Sequence, residues 1–134
     1  MFMLSMGAGM DLGFPDVCLT PSVNGTVSIP YPDMAMTATS TPAAYNVLVD
    51  CMPVVNQLSM GLMSNGDEGG VMGGVSSHLI DGQATYKVGC FTILVDGMPA
   101  QRLTSVTGQN SLGMSPNAPG LCLLPSQVTV LTLG

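Results

Sequence analysis

Glycine and proline interrupt this chain so often that no stretch of it can hold a long helix. The 17 glycines and 10 prolines make up about a fifth of the 134 residues. Both residue types mark turns, and proline also breaks helices because it lacks an N–H group. No segment carries a sustained apolar stripe of helical period. The pattern therefore predicts an all-β fold of many short strands joined by tight turns.

Charged side chains are scarce and mostly acidic. They form 7% of the chain, and Lys87 and Arg102 stand against eight carboxylates for a net charge of -6. Nucleic-acid binding requires clustered cations, so that class of partner is excluded, and anionic membrane surfaces are disfavoured for the same reason. An apolar content of 46% argues against disorder. So little charge on so small a body suggests that a partner covers part of the surface.

The first residues predict neither a secretory signal nor a membrane helix. MFMLSMGAGM has no basic residue and only a short apolar run. Residues 1–14 are rich in Met and Gly and are expected to form an N-terminal arm, as an added strand, a partner handle or a flexible tail. Residues 15–134 are expected to form one domain. The four cysteines form no C-x-x-C pair and are expected to be reduced.

Short apolar alternations between turn residues predict the strands. A strand at 26–29 should end at Pro30-Tyr31-Pro32, and residues 64–74 and 107–120 should be loops. Asp81-Gly82 is a tight-turn pair that should join a hairpin. The remaining predicted strands are 46–50, 54–58, 75–79, 84–88, 91–95, 100–106 and 126–133.

One segment occurs twice. Residues 48–53 read LVDCMP and residues 94–99 read LVDGMP, identical at five of six positions, and each copy lies between a strand and a short return strand. This predicts a repeated hairpin whose turn is shaped by the carboxylate and the proline. Repeated copies of one hairpin build an object with pseudo-symmetry.

Several short blocks, in order, resemble the PAAR-like domains that are often fused to Rhs and other effectors. The blocks are PDVCLTP at 15–21, SIPYPD at 28–33, SNGDEGG at 64–70 followed by GGV at 73–75, VDGMPA at 95–100 and NAPG at 117–120. The residues that carry the resemblance are Pro15, Asp16, Cys18, Pro21, Pro30, Pro32, Gly66, Asp67, Gly70, Gly74, Asp96, Gly97 and Pro99.

The resemblance implies a three-sided β-cone with pseudo-repeated hairpins. Such a protein caps the trimeric VgrG-type β-helix spike of a type VI secretion system or a related contractile injection system. It sharpens the spike for mechanical penetration of a target membrane, and it carries or recruits a separate toxin effector or adaptor. The implied location is cytoplasmic until assembly, followed by secretion through the machine. The methionines are expected to be adaptable fillers of the core or of an interface, with Met52 and Met98 against the spike.

The resemblance also raises the question of a metal. PAAR domains commonly hold zinc near the apex with three histidines and a cysteine, whereas His78 is the only histidine here. A mixed zinc site using His78 and Cys18 remains chemically open, although a metal-free apex is the working expectation. The alternative function is a stand-alone zinc-binding β-domain that acts as an effector adaptor.

No enzymatic activity is predicted. Asp67 and Glu68 are adjacent carboxylates in a glycine-rich loop, and a turn-shaping role is favoured over acid–base or calcium chemistry. The chain has no G-x-S-x-G nucleophile motif, and its glycine-rich stretches lack the Lys-Ser/Thr ending of a phosphate loop.

Overall fold

The fold is all-β, as the glycine and proline pattern predicts. A computed structural model describes residues 1–113 and 115–133. Within these residues there is one turn of 3₁₀ helix, at Thr37–Thr39, and no α-helix. No described helix has the length and apolar character needed to cross a membrane. The strands are β1 (Met10–Ser22), β2 (Gly25–Met36), β3 (Ser40–Thr41), β4 (Ala44–Val49), β5 (Met52–Val54), β6 (Met60–Gly61), β7 (Gln83–Val88), β8 (Cys90–Val95), β9 (Met98–Ala100), β10 (Val106–Ser111) and β11 (Ala118–Leu124).

Antiparallel pairing joins the strands into one large sheet and two hairpins. Seven strands form a sheet in the order β2-β1-β11-β10-β7-β6-β3. The other two sheets are the hairpins β4–β5 and β8–β9, which pair in the same way: Leu48 with Pro53, and Leu94 with Pro99. The predicted repeat of the hairpin is therefore confirmed.

The longest ribbon is formed by β1 and β2, and it corrects one prediction. The expectation that Pro30-Tyr31-Pro32 ends a strand is wrong, because β2 continues through both prolines to Met36. β2 is an edge strand of the sheet. Proline is tolerated there because its missing N–H would face no neighbouring strand.

Further strand and loop predictions are wrong, including the return strands at 54–58 and 100–106, because the observed strands end at Val54 and Ala100. Residues 75–79 lie in turns, and β7, which was expected to pair with them, pairs with β6 and β10. The expected loop at 107–120 contains most of β10 and the start of β11, with buried Gln109 and Asn110. Residues 126–133, expected to be a strand, belong to none of the named ones, and only Leu131 forms an isolated bridge, with Phe2. The buried side chains of β10 are polar, so a prediction based on hydrophobicity does not identify this strand.

The apolar core is small and divided. One buried cluster comprises Met3, Ala44, Val49, Val54, Val95 and Ala100, and a second comprises Leu4, Val55, Tyr86 and Cys122. Residues 1–14, expected to be an arm, contribute buried Met3 and Leu4, and β1 begins within them at Met10. A domain boundary at residue 15 remains a prediction.

Candidate partner interface and buried acidic cluster

Three short segments close a ring of backbone hydrogen bonds. The N–H of Leu4 donates to the carbonyl of Gln101 at 2.9 Å, that of Gln101 to Val55 at 3.2 Å, and that of Val55 to Leu4 at 3.0 Å. A second set repeats the pattern, from Met6 to Pro53, Gln57 to Pro99 and Leu103 to Phe2. Three isolated β-bridges repeat this threefold pattern, pairing Ser5 with Val54, Asn56 with Ala100 and Arg102 with Met3. The bonding therefore has pseudo-threefold symmetry, with Leu4, Val55 and Gln101 as equivalent ring residues.

The two chain ends together supply the third copy of the hairpin. Phe2 occupies the place of Pro53 and Pro99, and its bridge to Leu131 matches their pairing with Leu48 and Leu94. In this third copy the two paired segments are not consecutive, since one contains Phe2 and the other contains Leu131.

An apolar residue is displayed at the same place in each copy. Leu48, Leu94 and Leu131 have exposed fractions of 60%, 60% and 54%. We call these three side chains the leucine triad. Their neighbours Val49, Val95 and Thr132 are buried, as alternation along an extended strand requires. Each of the three copies thus exposes a leucine side chain at the equivalent position.

The hairpin turns have the backbone geometry that their residues favour. Asp50, Cys51 and Asp96 have φ values of 54°, 64° and 56°, and Gly97 follows at 79°. Asp and Gly tolerate this left-handed region, and two such residues in succession are typical of a tight turn between antiparallel strands. Met52 follows the first turn and is exposed, and Met98 follows the second and is partly buried.

A second feature is a group of buried acidic and thiol side chains between the β1–β2 ribbon and the loop at 62–82. Asp16, Cys18 and Asp67 are fully buried, and one donor atom from each lies within 4.8 Å of the others. Cys18 Sγ lies 3.6 Å from Asp16 Oδ1 and 3.5 Å from Asp67 Oδ2. Asp33 is also fully buried, and the charges of Asp16 and Asp67 act on its carboxyl group. We call these four residues the acidic cluster.

The loop at 62–82 covers this cluster by backbone pairing to the ribbon. The N–H of Leu19 donates to Gly73 at 2.8 Å, and the N–H of Val75 donates to Val17 at 3.0 Å. Glycine is required at Gly70, because a Cβ there would collide with the Cβ of Cys18. The glycine-rich sequence therefore allows the loop to close onto the cluster.

Burial dominates the electrostatics of the cluster. It raises the pKa of Asp33, and the charges of Asp67 and Asp16 raise it further. Burial also raises the pKa of Asp67, against hydrogen bonds from Asp81 that lower it. The pKa of the Cys18 thiol is raised by burial first and then by the charges of Asp16 and Asp67. The pKa values of Asp33, Asp67 and Cys18 are thus all raised because charge here is poorly solvated.

Residues 9–120 match the model of the toxin PAAR-like domain. The chain belongs to this family. No curated protein and no solved structure matches the chain. The predicted resemblance to PAAR-like domains is therefore confirmed, and its match extends to residue 9, ahead of the first block that carries it.

The family's three-histidine zinc site cannot be assembled in this PAAR-like domain. His78 is exposed, has a φ of 60° and lies in the covering loop. Among the described residues, the only group of metal-binding side chains joins Cys18 to carboxylates and does not include His78. The donor set around Cys18 is thus chemically different from three imidazoles and a thiolate. A site that uses His78 together with Cys18 remains a prediction.

The other residues that carry the resemblance fall into three places. Asp16, Cys18 and Asp67 belong to the acidic cluster, and Gly66, Gly70 and Gly74 lie in its covering loop. Asp96, Gly97 and Pro99 form the turn and return strand of a hairpin. Pro15, Pro21, Pro30 and Pro32 lie exposed along the ribbon.

Sequence reasoning did not identify Asp33, Asn110 or Asn117 as parts of a site. Asn110 Nδ2 donates to Asp67 Oδ2 at 2.7 Å, and the Asn117 amide donates to the Asp16 carboxylate. Asp33 and Asn117 stand within the blocks SIPYPD and NAPG. Their positions within these two family-like blocks are the sequence feature that could have identified them as site residues.

Proposed function

We propose that this PAAR-like domain caps the blunt end of a trimeric VgrG-type β-helix spike as a structural component of a contractile injection system. The leucine triad is the observation that carries the proposal. A single chain must meet three identical spike subunits, and three equivalent hairpins offer each subunit a similar apolar contact. Open strand edges beside the hairpins could pair with strands of the partner.

The described site favours a binding role over a catalytic one. The hairpins present leucine, methionine and valine side chains, and the acidic cluster is closed to solvent by its loop. Exposed apolar residues grouped in this way mark interaction surfaces. We propose that a toxin effector or adaptor is a separate protein carried by the assembled tip, which is cytoplasmic before assembly and leaves the cell with the spike.

Substitution of the leucine triad tests the proposed interface. Leu48→Gln, Leu94→Gln and Leu131→Gln should each weaken binding to the spike by about tenfold, since burying a leucine is worth about 1.5–3 kcal/mol and part of that area stays in contact. The three together should abolish co-purification with the spike. Met52→Gln and Met98→Gln should weaken it less.

The control is Leu112→Gln, because Leu112 is equally exposed at 61% but lies outside the three hairpins. Affinity is measured by surface plasmon resonance against the purified spike trimer, and stoichiometry by light scattering, with one chain per trimer expected. Equal losses in the Leu112 variant and in the triad variants would contradict the proposed interface. Binding of three chains to one trimer would contradict the symmetry argument.

A further inference from the structure

A second exposed apolar position recurs in all three copies of the hairpin. The copies align without gaps, because a buried residue stands five positions before the buried neighbour of each triad leucine: Ala44, Cys90 and Gln127. The residue that follows each of these is large, apolar and exposed: Tyr45 at 60%, Phe91 at 65% and Val128 at 66%. We call these three side chains the second triad.

Bulges in the strands display the second triad. In β4, Ala44 and Leu48 pair with consecutive residues of β5, so residues 45–47 face no residue of the return strand. β8 has the same irregularity at residues 91–93. A bulge bends its strand and redirects the side chains that it carries. The exposure of Tyr45 and Phe91 is therefore built into the backbone of the hairpins.

Side chains hold two of these segments in shape. Gln127 Oε1 accepts hydrogen bonds from the N–H groups of Thr129 at 2.7 Å and Val130 at 2.8 Å. In the second copy Cys90 Sγ lies 3.2 Å from Oγ1 of Thr92, the residue equivalent to Thr129. Segments fixed in this way lose little conformational entropy when a partner binds, which favours affinity.

The surroundings of the second triad define the chemistry of its partner. The segments YNVL at 45–48, FTIL at 91–94 and VTVL at 128–131 contain no charged residue. Each runs from a member of the second triad to a member of the leucine triad, a span of about 10 Å along an extended strand. A partner subunit that covers one triad leucine therefore also reaches the neighbouring Tyr45, Phe91 or Val128, and its matching surface is apolar and uncharged.

We propose that Tyr45, Phe91 and Val128 are anchor residues of the spike interface, each entering an apolar pocket on one spike subunit. This inference rests on the proposed function and goes beyond the leucine triad. Buried aromatic anchors commonly contribute most of the energy of a protein interface. Because the three spike subunits are identical, their three pockets are identical and large enough for an aromatic ring. Val128 is smaller than Tyr45 or Phe91 and therefore leaves its pocket partly empty.

Binding to the purified spike trimer tests the second triad, with affinities measured by surface plasmon resonance. Tyr45→Ala and Phe91→Ala should each weaken binding by about thirtyfold, the range expected for an aromatic anchor. Val128→Phe should instead tighten binding by about fivefold, because it fills the third pocket.

The matched control is Phe14→Ala, because Phe14 is 59% exposed but lies on β1, outside the hairpins. This variant should bind like the wild type. Thermal unfolding midpoints of all the variants should stay near that of the wild type, since the altered side chains are mostly in water. Hydroxyl-radical footprinting of the wild-type complex gives a readout without substitution: the spike should protect Tyr45 and Phe91 and leave Phe14 reactive.

The outcomes separate this inference from the proposed function. If the Tyr45 and Phe91 variants bind like the Phe14 control while Leu48→Gln and Leu94→Gln lose affinity, the second triad lies outside the interface and the inference is overturned, although the spike cap stands. If Val128→Phe weakens binding, the three pockets are not equivalent and the inference also fails. If the wild type does not bind the spike, both proposals fall.

Discussion

Asp11 should make the fold less stable as the pH rises through the mildly acidic range. Its side chain is buried on β1, where it lies opposite Cys122, and its Oδ1 has no hydrogen-bond partner. Burial raises the pKa of Asp11 from 3.8 to about 6, although hydrogen bonds to Cys122 and Tyr86 lower it in part. In the unfolded chain the carboxyl group ionises near its ordinary pKa, so the folded state holds the proton more tightly.

The sign and size of the effect follow from that difference. Below about pH 4 both states are protonated and Asp11 costs nothing, whereas above about pH 6 both are ionised and the folded state carries the burial penalty. A shift of about two pKa units corresponds to about 3 kcal/mol. Asp11 should therefore lower stability by about this amount between pH 4 and pH 7, and Asp11→Asn should remove this contribution.

Urea unfolding of the wild type and the Asp11→Asn variant at several pH values from 4 to 8 measures the difference directly. The other buried carboxyl groups are common to both proteins and cancel in the comparison. Asp96→Asn, at an exposed hairpin turn, controls for the change in net charge. A stability difference between wild type and Asp11→Asn that stays constant over this range would refute the reasoning.

Two further substitutions test the packing. Gly70→Ala should lower the free energy of unfolding by about 1–3 kcal/mol, because the new Cβ would collide with the side chain of Cys18. Gly97→Ala, where a Cβ meets nothing but φ is positive, should cost less, and an equal loss would contradict the close approach of the loop. Gln101→Leu should stabilise by about 1–3 kcal/mol, because the buried amide has no hydrogen-bond partner and both equivalent ring residues are apolar. Thermal unfolding of this variant measures the gain, and a lower midpoint would mean that the amide is satisfied.

The repeat could be predicted because two of its copies are continuous in sequence. The third is divided between the two chain ends, so its residues are more than 120 positions apart and form no contiguous motif. Residues 1–14 therefore read as an arm, although Leu4 closes the ring. The turn-rich, all-β character followed directly from glycine and proline, whereas the pairing of β7 depended on contacts that no local pattern encodes.

The acidic cluster was hidden for a related reason. Asp16, Cys18 and Asp67 were noted as motif residues, but Cys18 and Asp67 are 49 residues apart in sequence, which gave no indication that they meet. The predicted metal site used the single histidine, His78, together with Cys18. Contact between the loop and the ribbon depends on backbone bonds and on glycines that permit close approach, and neither has a recognisable ligand spacing.

The positions of apolar and polar residues separate stability from binding in this molecule. The interior depends on a small apolar core, a closed ring of backbone hydrogen bonds and buried polar groups such as Asp11, Gln101 and the acidic cluster. The leucine triad lies outside that interior and adds little to folding, since most of its surface remains in water. Variants of the triad should therefore lose spike binding at unchanged stability, whereas variants of the interior should lose stability first. The fold can present an apolar surface to a partner because its own integrity does not require that surface to be buried.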